Sequence, residues 1–240
     1  MARGSGPIGS MRRVATIATM ASRVETFRKV LPDIYDQVDH VYIYLDGYNS
    51  LPSFLDRFDR ITVHRAEDVG NLHASSRFLC LSQLASPTVV VSIDDDIIYP
   101  TNYVEQLVAA LQQFEGDAVV GVHARIFLPP HKSYLRDAAM MHFSSGLELP
   151  QHVHELGAGT CAFVSGKLDI DPTAWNSNDM DDILVAIEAQ RRGIPRIVVA
   201  RAAGWLKAYA EGQADSLWSK LRRSDTAQIE KMRELLKLYG

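Results

Sequence analysis

Three consecutive aspartates, Asp94, Asp95 and Asp96, end the apolar run in the segment TVVVSIDDDIIYP. The run predicts a buried β-strand, and side chains alternate across a strand, so Asp94 and Asp96 are expected to face one way and Asp95 the other. Two converging carboxylates repel each other unless a cation lies between them, and Mn²⁺ or Mg²⁺ takes carboxylate and phosphate oxygens as ligands. The pattern therefore favours a divalent-cation site. The alternative is a solvated acidic turn that precedes a helix.

A second acidic group lies in NSNDMDDILVAIEAQRRG, where Asp179, Asp181 and Asp182 begin a predicted amphipathic helix. Acidic side chains are stabilised near a helix N-terminus, and capping by Asp179 or Asn178 explains one of the three. It does not explain all of them. A carboxylate can also remove the proton of an attacking hydroxyl group, so this cluster is a candidate for acid-base chemistry.

Two histidines form a third candidate site. In QHVHE, His152 and His154 share one face if the segment is extended, with Glu155 beside them, and this spacing could bind a metal. The alternative is that histidines in a loop contact substrate or solvent.

The elements that position these residues alternate between strand and helix. The runs RRVATIAT, HVYIYLDG, RITVHR and TVVVSIDDD predict strands, with helical patterns between them and a helix expected from Asn71. Such alternation predicts an α/β fold with a mainly parallel central sheet flanked by helices, and ligands bind such sheets at the carboxyl ends of the strands. Each candidate segment follows a predicted strand: 19–23, 46–47, 65–71 and 94–96.

The second half of the chain is less regular. A helix over Thr101 to Phe114 and the strand DAVVGVHA precede a segment from Arg125 to about Gly157 that shows no clear period, and loops of this length are usually functional. The strand TCAFVS, a helix from Asp181 to Arg192 that ends at Gly193, and the strand RIVVA follow.

Composition limits the class of protein. The 240 residues suit one domain, and 47% hydrophobic and 22% charged residues are typical of a globular protein. The net charge of −4 and the lack of a basic, aromatic stripe argue against a nucleic-acid partner. Cys80 and Cys161 lie among apolar residues and are predicted to be buried and unpaired.

The two ends of the chain differ from the expected domain over residues 11–215. Residues 1–10, MARGSGPIGS, resemble an expression-tag remnant and lack the apolar region of a secretory signal, so we expect a cytoplasmic protein. Residues 216–240 predict an amphipathic helical tail with a basic side. Such a helix packs on its own domain or a partner, or lies peripherally on an anionic membrane.

The segment SIDDDIIYP resembles the DxD motif of family 2 glycosyltransferases and their GT-A relatives, which follows the fourth strand and commonly precedes a proline. The resemblance covers roughly residues 12–205. It implies a GT-A fold and transfer of a hexosyl or N-acetylhexosaminyl group, with inversion, from a UDP-sugar to a glycan or lipid-linked acceptor. It also implies that Asp94 contacts the ribose and that Asp96 coordinates the metal at the diphosphate, with Asp95 a candidate for either role.

The resemblance extends to the nucleotide pocket. It implies nucleotide contacts by the loop from Thr19 to Arg23 and recognition of the base by Asp46, since a carboxylate can accept the imide N–H of uracil. An ordinary turn before Gly47 explains Asp46 equally well.

Two further segments match the family pattern. In AEDVGNLHASSRF, the resemblance implies that Asp68, Gly70 and Arg77 approach the base and the phosphates, although a lone arginine is more often a surface residue. In MDDILVAIEAQRRG, the resemblance implies that Asp182 is the catalytic base and that Asp181 replaces the glutamate that precedes the base in the family motif. Asp181 is the nearest competitor for the role of base.

Two other functions fit part of the pattern. Phosphatases of the haloacid dehalogenase type also place DxD after a parallel strand. Their pattern has Thr or Val where this chain has Ile98, and their motif follows an early strand, whereas here it follows the fourth. A noncatalytic nucleotide-sugar-binding domain would retain Asp94 and Asp96 but would not need Asp182.

Overall fold

The structure is a computed structural model that describes residues 7–70, 72–85, 87–175, 180–209 and 225–239. Asp179, Asn178 and residues 216–224 of the predicted tail lie outside the described residues. No helix in the described ranges is long and apolar enough to cross a lipid bilayer.

Thirteen strands form three sheets in the described residues. In chain order the strands are β1 (Arg13–Met20), β2 (His40–Asp46), β3 (Ile61–Arg65), β4 (Val89–Ile93), β5 (Ile97–Ile98), β6 (Val119–Gly121), β7 (Ala124–Phe127), β8 (Ala138–Met141), β9 (Gln151–His152), β10 (Glu155–Leu156), β11 (Thr160–Val164), β12 (Arg196–Val198) and β13 (Lys207–Ala208). The central sheet has the order β3-β2-β1-β4-β11-β6-β12-β9, the second sheet β10-β7-β8 and the third β13-β5.

The described helices are α1 (Val24–Tyr35), α2 (Ala66–Val69), α3 (Tyr103–Gln112), α4 (Asp181–Arg191) and α5 (Thr226–Lys237). Short 3₁₀ helices occupy Ile8–Ser10, Ala21–Arg23, Ser53–Arg57 and Pro172–Ala174, and a longer one occupies His73–Gln83. Gly193 follows α4 with a φ of 67°, a conformation that favours glycine at a helix end.

The central sheet is mixed. Its β1–β2, β2–β3, β1–β4 and β6–β12 pairs are parallel, whereas β11 runs antiparallel to both β4 and β6. Alternate residues of β4 serve the two faces: Val91 and Ile93 pack with α1 and α3, while Val90 packs with the 3₁₀ helix His73–Gln83 and with α4. This large sheet flanked by helices confirms the predicted α/β fold class.

Two sequence predictions about elements are wrong. The helix expected from Asn71 is a 3₁₀ helix, His73–Gln83, in which the Ser76 and Ser82 hydroxyls donate to carbonyls three residues back. Such side-chain bonds compete with α-helical hydrogen bonding. The segment 125–157, expected to be irregular, contains the antiparallel sheet β10-β7-β8, whose strands are too short to show a period.

The chain ends pack on the domain where the structure describes them. Ile8, in the expected tag remnant, is buried in the core beside α3. Met232 and Leu235 of α5 are fully buried against α4, which agrees with the predicted packing of the terminal helix on its own domain. Cys80 and Cys161 are both buried and free, as predicted.

Candidate active site

The acidic turn, Asp94 to Asp96, lies at the carboxyl end of β4 in the middle of the central sheet. The strand alternation from which Asp94 and Asp96 were expected to share one face does not extend to these residues, because β4 ends at Ile93 and the chain turns at Asp95 and Asp96 before β5. Asp94 pairs with Arg77, whereas Asp95 and Asp96 both pair with Arg23. The turn therefore divides its three carboxylates between two arginines.

Arg23 joins the loop after β1 to the acidic turn. Its Nη1 lies 3.0 Å from Asp95 Oδ1 and 2.8 Å from Asp96 Oδ2. Thr19, at the end of β1, hydrogen-bonds the Asp95 side chain and lies 3.3 Å from the Tyr48 hydroxyl. The structure thus brings the predicted residues Thr19 and Arg23 to the predicted acids.

Burial raises the pKa of two of these acids. Desolvation, opposed by Arg23, raises the pKa of Asp95, whose side chain is 5% exposed. Desolvation and the charges of Asp94 and Asp95 raise the pKa of Asp96 to about 6 despite the same guanidinium. One arginine therefore does not fully offset the charge of the turn.

Arg77 connects the two acidic clusters. Its Nη1 donates to Asp94 Oδ1 at 2.9 Å and to the Ile93 carbonyl, its Nε donates to the Ala74 carbonyl, and Nε lies 3.5 Å from Asp181 Oδ2. Only 5% of Arg77 is exposed, so the surface alternative for this residue is wrong. Burial alone would lower the Arg77 pKa, but Asp94 and Asp181 raise it above its ordinary value. The guanidinium is therefore a fixed positive charge between the clusters.

The turn before β11 contains Gly157, Ala158 and Gly159, and each of these residues lies against a different polar side chain. A Cβ placed on Gly157 would lie 3.1 Å from His123 Cβ. The Ala158 N–H donates to Asp182 Oδ1 at 2.7 Å. A Cβ on Gly159 would lie about 2 Å from the Asp94 carboxyl group. His123, Asp182 and Asp94 therefore surround one short turn.

Exposure separates the two candidate bases. Asp181 is buried against Arg77, and desolvation raises its pKa to about 7, partly offset by that arginine. Asp182 is half-buried as a residue. Desolvation raises the pKa of Asp182 as well, opposed by Arg125 and the Ala158 N–H. Of the two residues, Asp182 is the less buried.

A buried polar group that no sequence pattern indicates lies close enough to Asp182 to affect its charge. Arg125 Nη1 lies 2.5 Å from Glu155 Oε1 and 2.6 Å from the Tyr134 hydroxyl, which is also 2.8 Å from both Glu155 oxygens. Burial raises the pKa of Glu155 to about 7, against the opposing effect of Arg125. The pairing of β10 with β7 brings Arg125 and Glu155 together. The two strands are distant in sequence, so no local sequence pattern indicates this contact.

His123 is a second residue that the sequence analysis missed. It lies just beyond the carboxyl end of β6, and its ring stands edge-on to His142 with centroids 5.4 Å apart. Its Nδ1 is buried without a hydrogen-bond partner among the described residues. Burial, followed by the charge of Arg125, lowers the pKa of His123 to about 3 and keeps the ring neutral. Ligands bind such sheets at the carboxyl ends of the strands, and this criterion, which indicates Asp94, also indicates His123.

The predicted base-recognition residues Asp46, Asp68 and Gly70 do not join this ion-paired group. Asp46 ends β2, and its Oδ2 lies 3.2 Å from His73 Nδ1. Asp68 is exposed on α2, and Gly70 follows with a φ of 90°. Of the three residues predicted in 66–78, only Arg77 joins the ion-paired group.

The described residues His152, His154 and Glu155, whose spacing could bind a metal, do not form a metal site. His152 is exposed on β9, while His154 Nδ1 accepts a hydrogen bond from the Phe127 N–H at 2.8 Å. His152 is on β9 in the central sheet, whereas Glu155 is on β10 in the second sheet, where it is buried against Arg125. The two residues are therefore held by different sheets.

The acidic turn fits a hard divalent cation in its donor chemistry. Mn²⁺ and Mg²⁺ bind carboxylate oxygens, and Mg²⁺ is often held by one or two carboxylates together with substrate phosphates. Asp94 and Asp96 have partly exposed side chains, 37% and 29% respectively. Among the described residues, no group of three or more His, Cys, Asp or Glu side chains could hold a metal ion alone. A cation here would need further oxygens from water or from a ligand.

Comparison with known proteins leaves the family open. No protein-family model and no curated protein sequence matches the chain. One matching solved structure is glucosyl-3-phosphoglycerate synthase from Mycobacterium tuberculosis, in complex with Mn²⁺, uridine-diphosphate-glucose and phosphoglyceric acid. The two chains are 18% identical, the match covers 50% of this chain and 49% of that chain, and the TM-score is 0.38. The match thus spans about half the length of that enzyme, and at this TM-score it assigns neither reaction nor residue roles to this chain.

Proposed function

We propose that the chain is a glycosyltransferase that moves a sugar, a hexosyl or N-acetylhexosaminyl group, from a UDP-linked donor to a hydroxyl group. The acceptor proposed is a glycan or a lipid-linked saccharide, and the proposed outcome is inversion at the anomeric carbon. The proposal follows from the resemblance of SIDDDIIYP and MDDILVAIEAQRRG to family 2 glycosyltransferases.

One observation carries the proposal: the two acidic clusters, more than eighty residues apart in sequence, meet at a single buried arginine. Arg77 pairs with Asp94 at 2.9 Å and lies 3.5 Å from Asp181. The turn 157–159 also contacts both Asp94 and Asp182. This proximity supports the proposal, because a displacement at a sugar carbon requires a base beside the diphosphate site.

Asp182 is the proposed general base. As the acceptor oxygen forms its bond to the anomeric carbon, the bond from that carbon to the diphosphate oxygen breaks, and Asp182 takes the acceptor proton. The Ala158 N–H fixes one carboxylate oxygen, and Asp182 is the less buried of the pair. Because its pKa is raised, Asp182 is a stronger base than an ordinary aspartate once ionised.

The remaining residues bind the donor in this proposal. Asp94 and Asp96 hold Mn²⁺ or Mg²⁺, which would supply charge stabilisation for the departing UDP. Thr19, Arg23 and Asp95 are proposed at the nucleotide, and Asp46, Asp68 and Gly70 at the base. His123, a neutral imidazole beside the same turn, suits a hydrogen bond to a sugar hydroxyl.

The experiment compares Asp182→Asn with the protein and with Asp117→Asn, an exposed aspartate paired with Lys167. We expect calorimetry to show Mn²⁺-dependent UDP binding in all three, and Asp182→Asn to lose transfer from a UDP-sugar by about 100-fold or more. Retained transfer would contradict the role of Asp182. Absent UDP binding with Mn²⁺ present would contradict the donor assignment.

A further inference from the structure

Arg23 occupies the position that a cation would take between two carboxylates of the acidic turn. A single nitrogen, Nη1, contacts Asp95 Oδ1 at 3.0 Å and Asp96 Oδ2 at 2.8 Å. The arginine side chain is 13% exposed, so this contact is largely shielded from water. Shielding strengthens the attraction relative to a surface ion pair.

A metal ion that chelated Asp95 Oδ1 and Asp96 Oδ2 would compete with Arg23 for both oxygens. A Mg²⁺ ion lies about 2.0–2.1 Å from each ligand oxygen, inside the 2.8–3.0 Å shell that Nη1 occupies. A divalent ion that chelated both oxygens would therefore overlap the guanidinium and repel its charge. Binding through this pair requires the arginine to leave.

The two acids differ in their freedom to rearrange. Asp95 is 5% exposed and is also hydrogen-bonded by Thr19, whereas Asp96 is 29% exposed. Asp94 is already paired with the buried Arg77. Asp96 is thus the carboxylate for which Arg23 and a dissolved cation can compete.

We propose that Arg23 is the resident counter-ion of the acidic turn and holds Asp96 in a state of low metal affinity. A ligand with a diphosphate group draws the guanidinium away and opens Asp96 to the cation. The identity of that ligand rests on the proposed function, but the competition between Arg23 and the metal does not.

The test is titration of Mn²⁺ alone, without nucleotide or sugar, followed by the electron paramagnetic resonance signal of free Mn²⁺. The variants are Arg23→Met and, as a matched control, Arg28→Met, an exposed arginine on α1 that pairs with Glu25. We expect Arg23→Met to bind Mn²⁺ at least tenfold more tightly than the protein and the control. Adding Asp96→Asn to Arg23→Met should abolish the gain.

Equal or weaker Mn²⁺ binding by a folded Arg23→Met variant would overturn the inference. If that variant does not fold, Arg23→Gln, which keeps a polar side chain but removes the charge, is titrated with Mn²⁺ alone in the same way. An increase in Mn²⁺ affinity of at least tenfold over the unmodified protein supports the competition, and no increase overturns it. Tighter Mn²⁺ binding by Arg23→Met in a protein that does not bind UDP would refute the donor assignment while leaving the role of Arg23 intact.

Discussion

At the scale of the residue, the Asp94 carboxylate occupies the space that a side chain at position 159 would need, and Gly159 leaves that space open. A Cβ there would lie 1.9–2.0 Å from the carboxyl atoms, closer than any tolerated contact. Gly159→Ala is therefore expected to push Asp94 off Arg77 and to weaken UDP binding at least tenfold, measured by calorimetry with Mn²⁺ present.

Gly9→Ala is the matched control, because its new Cβ would meet only the amide end of Gln112, a flexible side chain that can move. Thermal unfolding of both variants separates a local effect from a general loss of structure. Unchanged UDP affinity in Gly159→Ala would show that Asp94 does not contribute to the nucleotide site.

The positions of the acids could be predicted from sequence, but their partners could not. Asp94 and Asp182 were identified because each stands where a strand ends or a helix begins. The division of the turn between Arg77 and Arg23 depends on β4 ending at Ile93 and not one residue later, and such boundaries are the least certain feature of a sequence pattern.

At the scale of the element, α5 is held to α4 by two fully buried side chains. Met232 and Leu235 pack against Ile183 and Ile187 in one apolar cluster. Leu235→Ala is expected to lower the free energy of unfolding by about 2–5 kcal/mol, because it removes buried contacts and leaves a cavity. Urea denaturation measures the change.

Leu238, just beyond α5, is 40% exposed and provides the control. Leu238→Ala should change the free energy of unfolding by less than about 0.5 kcal/mol. A similar small effect for Leu235→Ala would mean that α5 is not docked on α4 in solution.

Long elements were predictable and short ones were not. The strands β1, β2 and β4 and the helix α4 show clear apolar runs or periods. The strands β9 and β10 have two residues each, too few for any period, and their pairing depends on partners distant in sequence. The Arg125–Glu155 contact depends on the pairing of β10 with β7, so no local sequence pattern indicates it.

At the scale of the whole molecule, Glu155 makes stability depend on pH. Its pKa is about 7 in the folded protein, against an ordinary value of 4.5. The folded state thus keeps a proton that the unfolded chain releases. The contribution of Glu155 protonation to the free energy of unfolding is therefore full below about pH 4.5 and is lost as pH rises through about 7.

Comparison with Glu155→Gln isolates this effect, since buried histidines such as His123 act in the opposite sense in both proteins. Between pH 5 and pH 8, the protein should lose stability relative to the variant by on the order of 2 kcal/mol, at about 1.4 kcal/mol per pKa unit. Denaturant unfolding at both pH values measures it. A pH-independent difference would show that Glu155 is not buried as a proton-binding group.

The position of β11 has a consequence for how the chain folds during synthesis. β11 is made after β4 and β6 yet lies between them, so one edge of β4 cannot receive its native partner until β11, residues 160–164, has been synthesised. A strand edge with unpaired backbone N–H and C=O groups is a template for pairing with other chains. During synthesis, the interval between β4 and β11 is therefore one in which this edge is open to incorrect pairing.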